Sequence, residues 1–301
     1  MLISRLTGAL LTIWLAVTIT FITLRILPGD PISAQAGEAG LTESEIALQR
    51  QLSGIDAPLP GQYVHYWLDV LSGNWGRSLY TGLTVREMIS QQLGNTLWLA
   101  GYSTLLAVVL GISIGYTAVA STKIALRRLA NAFIDLSLAI PVYWTGTLVV
   151  FMLATAIDGL RSQPWLPVMV LGFHTSGAIA RVIQAQVHDV MQQPYIQVAV
   201  GKGLKAQRIQ WVHVLRPTLA VILPVIVLQF GYLLSGTVIT ESIFQRSGMG
   251  TLLLRATLQQ DYPVVQGVVL ITAIAYVVLT LIADLASYYL DPRLRIASVT
   301  R

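Results

Sequence analysis

The sequence PYIQVAVGKGLKAQRIQWVHVLR, residues 194–216, lies between two apolar runs that are each long enough to cross a lipid bilayer. It is basic and contains two glycines, and its first residue, Pro194, can begin a helix. A connector that only joined two membrane spans could be a short polar turn. A helix-forming connector of this length therefore predicts a surface that another molecule contacts.

The composition around this connector is that of a membrane protein. Of the 301 residues, 54% are hydrophobic and 11% are charged, whereas about a quarter of the residues in a soluble domain are charged. A membrane-spanning helix needs about 20 apolar residues. We therefore predict an all-α polytopic protein with six transmembrane helices, from charge-free runs at residues 6–24, 88–122, 136–157, 162–180, 217–240 and 262–283.

The first run resembles a signal peptide, but it lacks a clear cleavage site before Pro28, so we expect a helix that is retained. The chain has no cysteine, which excludes disulfides and thiolate metal sites. The net charge is +5, yet the basic residues lie in short loops beside apolar helices. This distribution indicates contact with membrane lipid and not with nucleic acid.

The charges of the loops predict the orientation. The loop at residues 28–94 carries more acidic than basic residues, whereas the next loop carries Lys123, Arg127 and Arg128 and no acid. Positive charge returns in the connector and in the C-terminal tail. The positive-inside rule therefore predicts that both termini and the connector are cytoplasmic.

These features divide the chain into four parts. In the extracytoplasmic part we predict two short helices, at 41–52, where Thr42 and Glu45 have the spacing of a capping box, and at 63–71. The four parts are a first transmembrane helix at 1–27, an extracytoplasmic loop at 28–94, a five-helix core at 95–290 and a cytoplasmic tail at 291–301. The predicted spans cover residues 5–27, 94–120, 129–157, 165–187, 216–240 and 262–290.

Small and charged residues in or near the spans have more than one possible role. Gly111 and Gly115 would let helix backbones approach closely, which favours packing within one subunit over a substrate path. A charge is costly in hydrocarbon, so charged residues there should face protein, water or a helix end. We favour an ion pair or a headgroup contact over a transport role for each of them, namely Asp135, Arg181, Glu241 and Asp284.

No motif for an enzyme is found. The sequence lacks the phosphate-binding loop GxxxxGK[ST], the zinc-protease motif HExxH and the hydrolase motif GxSxG. The four histidines are far apart. We therefore expect a chain with no catalytic residue and no metal site, which does not hydrolyse ATP by itself.

Within the connector, Ile196, Val200 and Leu204 follow at four-residue spacing, which predicts an apolar helix face. Gly201 and Gly203 would each weaken such a helix by about 1 kcal/mol relative to alanine. The helix therefore needs further contacts to persist. Docking on a protein partner and contact with lipid of the inner leaflet are equal alternatives at this point.

Several motifs, taken in order, resemble the permease subunits of ABC importers, specifically the dipeptide, oligopeptide and nickel permease family. The resemblance covers nearly the whole chain. It includes LPGDP at 27–31, GNWGRSL at 73–79, IPVYW at 140–144, Ala199, Lys202, Gly203 and Leu204 in the connector, LQFG at 228–231, GMG at 248–250, DYPVVQ at 261–266 and DPR at 291–293.

The resemblance implies that the connector is a coupling helix, which inserts into a cytoplasmic ATPase and links ATP to alternating access of the spans. It implies a second homologous permease, two ATPase subunits and an extracytoplasmic solute-binding protein as partners, in the bacterial inner membrane. ATP and Mg would be used by the ATPases, and this chain would bind no cofactor. The implied coupling residues are Tyr195, Ala199, Lys202, Gly203, Leu204, Ile209, His213 and Arg216, and we assign Gln229, Ser235 and Glu241 to the translocation path.

The implied function is the import of peptides through half of a translocation path, with nickel, a metal chelate or glutathione as alternative cargo. The sequence departs from the family at Pro217, where asparagine is usual, and at Gln184, where a second arginine is usual. A secondary transporter, which works without ATP, would predict inverted repeats and charges stacked at mid-membrane, and the sequence shows neither. An intramembrane hydrolase would need a nucleophile or metal set that the sequence does not present.

Overall fold

A computed structural model of the chain describes residues 2–26, 42–44, 47, 50, 57–156 and 163–290. These residues are mostly helical, and they form no strand beyond one antiparallel bridge between Arg77 and Thr84. The α-helices are α1 Leu2–Ile26, α2 Leu59–Ser72, α3 Val85–Ala120, α4 Ile124–Ala139, α5 Val142–Ala156, α6 Trp165–Met191, α7 Pro194–Gly201, α8 Ala206–Arg208, α9 Arg216–Gly236, α10 Val238–Ile243, α11 Met249–Leu258 and α12 Tyr262–Leu290. A π-helix, Ile209–Leu215, joins α8 to α9.

The prediction of an all-helical chain is confirmed for these residues. Four helices, α1, α3, α6 and α12, are long and apolar enough to cross a membrane. Two further spans result if each of two bent pairs counts as one, α4 with α5 and the segment from α8 with α9. The described residues therefore hold between four and six spans.

The prediction of one continuous helix at 129–157 is wrong. The axes of α4 and α5 differ by 99°, and the chain turns at Ile140 and Pro141. Proline has no N–H and forces the preceding residue out of the helical region. Ile140 accordingly has φ −83° and ψ 128°.

The second span begins at Val85 and not at the predicted Gly94. Thr84 and Glu87 form a capping box at its start: the Glu87 N–H donates to Thr84 Oγ1 at 3.2 Å, and the Thr84 N–H donates to Glu87 Oε2 at 3.3 Å. The helix has 36 residues, which corresponds to about 54 Å. It is longer than the hydrocarbon core of a bilayer, which is about 30 Å thick.

The chain forms two compact units. The first unit contains residues 97–246 and the chain from 278 onward, and the second contains residues 2–96 and 247–277. The predicted helix at 63–71 is confirmed as α2 of the second unit. The predicted helix at 41–52 lies largely outside the described residues, and so does the tail at 291–301.

In the first unit, α6 is the central helix. Its buried Ile179, Ile183 and Val187 pack in one cluster with Ala107 of α3 and Ile222 of α9. The prediction that the glycines of α3 mark a packing face is confirmed. A Cβ on Gly115 would lie 2.5 Å from the carbonyl oxygen of Ala180, and one on Gly111 would lie 2.7 Å from Ile179 Cγ2.

A histidine of α6 holds the two halves of the bent pair. His174 Nδ1 lies 2.9 Å from the Ser137 carbonyl oxygen in the last turn of α4, and Nε2 lies 2.9 Å from Thr145 Oγ1 in the first turn of α5. A carbonyl can only accept, so Nδ1 carries the proton and, in the neutral ring, Nε2 accepts from the Thr145 hydroxyl. One side chain therefore fixes the ends of both helices.

In the second unit, the turn before α3 is bound to the turn before α12. Ser78 Oγ donates to Asp261 Oδ2 at 2.5 Å, and the Leu79 N–H donates to Oδ1 at 3.2 Å. Both Ser78 and Asp261 are buried. Burial raises the pKa of the Asp261 carboxyl above its ordinary value, although the hydrogen bonds from Ser78 and from backbone N–H groups act in the opposite direction.

Candidate functional site

The first helix of the connector, α7, has a defined start and a defined C-terminal cap. Pro194 stands in the first turn of α7, where its missing N–H is not needed. After Gly201 the chain closes in a Schellman motif: the Gly203 N–H donates to the Val200 carbonyl at 2.9 Å, and the Leu204 N–H donates to the Ala199 carbonyl at 3.3 Å. Gly203 has φ +72°, the left-handed conformation that this motif requires.

The inner face of α7 is seated on the first unit. Ile196 and Ala199, three residues apart, are the buried residues of this helix. Ile196 belongs to the cluster built on α6, together with Val214 of the π-helix. Tyr195 Oη donates to the His213 carbonyl at 3.2 Å, which ties α7 to the π-helix.

Two details of the sequence prediction for the connector are wrong. Ile196, Val200 and Leu204 were expected to share one apolar helix face, but Ile196 is buried together with Ala199 whereas 61% of the Val200 surface is exposed. Gly203 was expected to weaken the helix from inside, but it lies beyond the last helical residue, where glycine favours the cap. Leu204 follows that cap and is half-buried.

The connector exposes both apolar and basic side chains. Val198 and Val200 of α7 and Trp211 of the π-helix are exposed, Trp211 at 67%. The side chains of Lys202, Lys205, Arg208 and Arg216 are also exposed. We call this set of exposed residues the connector face. Exposed apolar side chains among basic ones are typical of a segment that another molecule contacts.

The structure gathers the predicted coupling residues in one segment, but in different environments. Those exposed are Tyr195, Lys202, Gly203 and Arg216, those half-buried are Leu204, Ile209 and His213, and Ala199 is buried against the spans. Ile196 and Val214 were not among the predicted coupling residues. Their burial beside α6 shows that they anchor the segment, and only the i, i+3 pair of Ile196 and Ala199 could have indicated it.

The three residues assigned to the translocation path lie in different surroundings. Gln229 is half-buried on α9, and Ser235, on the same helix, is exposed. Glu241 of α10 is 1% exposed, and its Oε1 accepts a hydrogen bond from Thr237 Oγ1 at 2.9 Å. Exposed Leu228, Tyr232 and Ser235 share one face of α9.

Two of the charged residues near the spans form the expected ion pair. Arg181 of α6 donates to Asp135 of α4 at 2.6 Å, and both side chains are exposed in the isolated chain. Arg181 also donates to Gln184, which in turn donates to Asn131 of α4 at 2.7 Å. Gln184, where the resembled family has arginine, thus joins α6 to α4 through its amide.

A protein-family model described as the binding-protein-dependent transport system inner membrane component matches residues 107–296. The chain belongs to this family. A second model, for the N-terminal part of such membrane components, matches residues 1–98. The prediction of a multi-pass permease subunit in the bacterial inner membrane is therefore confirmed.

Curated relatives of this inner membrane component align over nearly the full chain. The probable peptide ABC transporter permease protein y4tP of Sinorhizobium fredii is 32% identical over 290 residues, which are 91% of this chain and 92% of the relative. The glutathione transport system permease protein GsiC of Salmonella typhimurium is 30% identical over 97% of this chain and 98% of the relative. The same-named protein of Pectobacterium atrosepticum is 29% identical over the same shares.

Two solved ABC transporters have a similar fold. An amino acid ABC transporter solved with histidines gives a TM-score of 0.55 at 18% identity, over 69% of this permease and 94% of that chain. The MetNI methionine ABC transporter in an inward-facing conformation gives 0.57 at 13% identity, over 68% and 97%. At these identities the likeness concerns the fold alone.

Proposed function

We infer that this permease is the membrane subunit of an ATP-driven importer of short peptides and that the connector face docks on a cytoplasmic ATPase. This inference rests on the different burial of the side chains of the connector. Ile196 and Ala199 fix the helix to the spans, while Val198, Val200 and Trp211 are left without cover. A rigid element with one face in the core and the other exposed can transmit movement between a partner and the spans.

The proposed topology has six spans and cytoplasmic termini. It counts the bent pair α4 and α5 as one span, and the segment from α8 with α9 as another. The basic residues of the connector then lie on the same side as Lys123, Arg127 and Arg128 at the start of α4, as the positive-inside rule requires. ATP and Mg bind to the ATPase subunits, and this chain performs no catalysis.

The proposed assembly contains a second permease, two ATPases and an extracytoplasmic binding protein. The exposed face of α9 that carries Leu228, Tyr232 and Ser235 is the surface we assign to the second permease and to the path. Gln229 lies beside this face and Glu241 follows it in α10. The side chain of Glu241 is buried and accepts a hydrogen bond from the Thr237 hydroxyl, so we assign it to support of the path and not to contact with cargo.

Peptide cargo is supported by the relative of Sinorhizobium fredii, and glutathione, itself a short peptide, is the second candidate because permeases of glutathione systems align over 97% of this chain. Reconstitution in liposomes tests the proposal. Uptake of a labelled tripeptide should require the binding protein, both ATPases and ATP. Uptake by this chain alone, or uptake that ignores ATP, would refute the inference.

A further inference from the structure

The ion pair of Arg181 and Asp135 lies far from the cytoplasmic ends of its two helices. At 1.5 Å per residue, Arg181 is about 15 Å from Met191 at the end of α6, and Asp135 is about 16 Å from Ile124 at the start of α4. The proposed topology makes both of these ends cytoplasmic. The two distances agree, and each is about half of the hydrocarbon core, which is about 30 Å thick. The pair therefore lies at the depth of the lipid chains.

At this depth the pair is open to its surroundings. The side chain of Arg181 is 49% exposed and that of Asp135 is 65% exposed in the isolated chain. A charged group inside the membrane is costly in lipid, so it faces protein or a water-filled cavity. Asp135 also has a short side chain, which does not reach the headgroups from this depth. Contact with lipid headgroups therefore does not explain the pair.

The exposed surface of α4 is divided into an apolar face and a polar face. Exposed Leu126, Leu129 and Leu136 form the apolar face. At about 100° per residue, Asp135 lies between about 100° and 180° from these leucines around the helix. The polar face, on the side of Asp135, also carries Arg128, Asn131 and Ala132. The leucines are the side of α4 that suits lipid, so the pair faces another environment.

The polar surface continues from the pair to the cytoplasmic ends of both helices. On α6, exposed Ala185 and His188 follow Arg181 on the same side of the helix, at spacings of four and seven residues. On α4, exposed Arg128 precedes Asp135 by seven residues and so lies on the same side as the carboxylate. A continuous polar surface between the pair and the cytoplasm fits the wall of an aqueous channel.

The pair leaves much of its hydrogen-bonding capacity unused. Arg181 donates through Nη2 to Asp135 Oδ1 at 2.6 Å and through Nη1 to Gln184 Oε1 at 3.3 Å. A guanidinium has five N–H groups, and a carboxylate accepts at both oxygens. Within the described ranges, Asp135 Oδ2 and the other N–H groups of Arg181 make no further hydrogen bond. A dry contact with another subunit would leave these groups unpaired, whereas water satisfies them.

We propose that Arg181 and Asp135 line the cytoplasmic half of the translocation path, where it is filled with water, and keep this part of the path electrically neutral. Peptides of either charge then pass. The proposal rests on the proposed function and adds two residues to its path. Removal of one partner leaves the other charge uncompensated, and a charge that lines a pore attracts a solute of opposite sign and repels one of the same sign.

The test measures the charge preference of ATP-driven uptake by the complete importer in liposomes, with the peptides Ala-Lys-Ala and Ala-Glu-Ala. The ratio of the two initial rates is compared with that of the wild type, so that the preference of the binding protein cancels. Arg181→Gln should raise the ratio of the lysine peptide to the glutamate peptide about fivefold, which is the effect of a unit charge at about 4 Å in water. Asp135→Asn should lower the ratio by about the same factor.

Two further variants are the controls. The double variant Arg181→Gln with Asp135→Asn should return to the wild-type ratio, because the path is neutral again. Lys123→Gln removes an exposed charge at the start of α4 and should leave the ratio unchanged. A structural role alone would lower the uptake of both peptides together. An unchanged ratio in both single variants, or a change of the same sign in both, would overturn the proposal.

A second measurement does not depend on peptide uptake or on the ion pair. The chain has no cysteine, so single cysteines at Ala132 on the polar face and at Leu136 on the apolar face can be compared. In inverted membrane vesicles with the complete importer, Ala132→Cys should react with a membrane-impermeant thiol reagent. Leu136→Cys should react about tenfold more slowly, because the thiolate is the reactive form and lipid does not solvate it. Equal reaction at both positions, or slower reaction of Ala132→Cys because the second permease covers it, would overturn the proposal.

The proposed function fails by a different result. If the importer takes up both peptides with ATP but the single variants keep the wild-type ratio, the assignment of the pair to the path is wrong and the proposed function stands. If the importer with its binding protein and ATP moves neither peptide, the peptide assignment is wrong, and the role of the pair in peptide passage is overturned with it.

Discussion

Two glycines of the connector, two positions apart, should respond to the same substitution in opposite directions. Gly203 has φ +72°, and a Cβ added there would meet no atom within 4 Å. The cost of Gly203→Ala is therefore conformational alone, about 1–2 kcal/mol for an L-residue in the left-handed region. Gly201 is helical and also has open space around it, so Gly201→Ala should stabilise α7 by about 1 kcal/mol.

The cost of Gly203→Ala should lower the population of the capped connector by about 5- to 30-fold. Gly203→Val should cost more because valine is β-branched, and Gly203→Asn should cost less because asparagine tolerates this conformation. Hydrogen exchange at the amides of Gly203 and Leu204 measures the cap, and ATP-driven uptake by the reconstituted importer measures coupling. The protection of these amides and the uptake should both decline in the order Gly203→Asn, Gly203→Ala, Gly203→Val. Gly201→Ala should retain both. Equal loss in Gly201→Ala and Gly203→Ala would refute the reasoning.

Three further predictions concern the spans and the second unit. His174→Ala removes both bonds that hold the bend between α4 and α5, so it should lower the melting temperature in detergent more than His174→Gln, and equal melting would contradict this. Gly115→Val should prevent close approach of α3 to α6, seen as loss of folded monomer in size-exclusion chromatography, whereas Gly101→Val, where a Cβ meets nothing, should not. Because the pKa of Asp261 is raised in the folded chain, the folded chain binds the proton of this carboxyl more tightly than the unfolded chain does. The contribution of Asp261 to the free energy of unfolding therefore falls as the pH rises through the folded pKa. The melting temperature of wild type relative to Asp261→Asn should therefore fall as the pH rises above 3.8, the ordinary pKa of this carboxyl, and a constant difference would exclude this role.

The positions of the helices could be predicted from the sequence because the hydrocarbon core of a bilayer permits few structures other than a helix. The sixth predicted span, at 262–290, is one helix with the predicted bounds. The apolarity of a run does not indicate the direction of its helix axis, however. The 99° turn at Pro141 was therefore not predicted, although the proline is present in the sequence. The length of α3 was missed because its first turns are polar and depend on the capping box of Thr84.

The candidate site could be predicted as a segment but not as a surface. The basic charge and the glycines of residues 194–216 identify it. Which side chains face inward depends on where α6 and the π-helix lie, and that is a matter of tertiary packing. The pattern of Ile196, Val200 and Leu204 therefore predicted an apolar face but not which side chains are buried, and those are Ile196 and Ala199. A cavity in the second unit is lined by residues as distant in the sequence as Arg25 and Gln266, which no local sequence pattern connects.

The docking of the connector face on an ATPase is the claim that most of this account depends on, and the absence of cysteine makes it directly testable. A single cysteine at Lys202, carrying a photoreactive maleimide, should form an adduct with the ATPase subunit in inverted membrane vesicles. The matched control is a single cysteine at Lys123, which is also exposed and proposed to be cytoplasmic, and it should give a several-fold weaker adduct. The account predicts an adduct at position 202 whose yield changes with ATP. Absence of any ATPase adduct there, or labelling of that cysteine from outside intact cells, would contradict it.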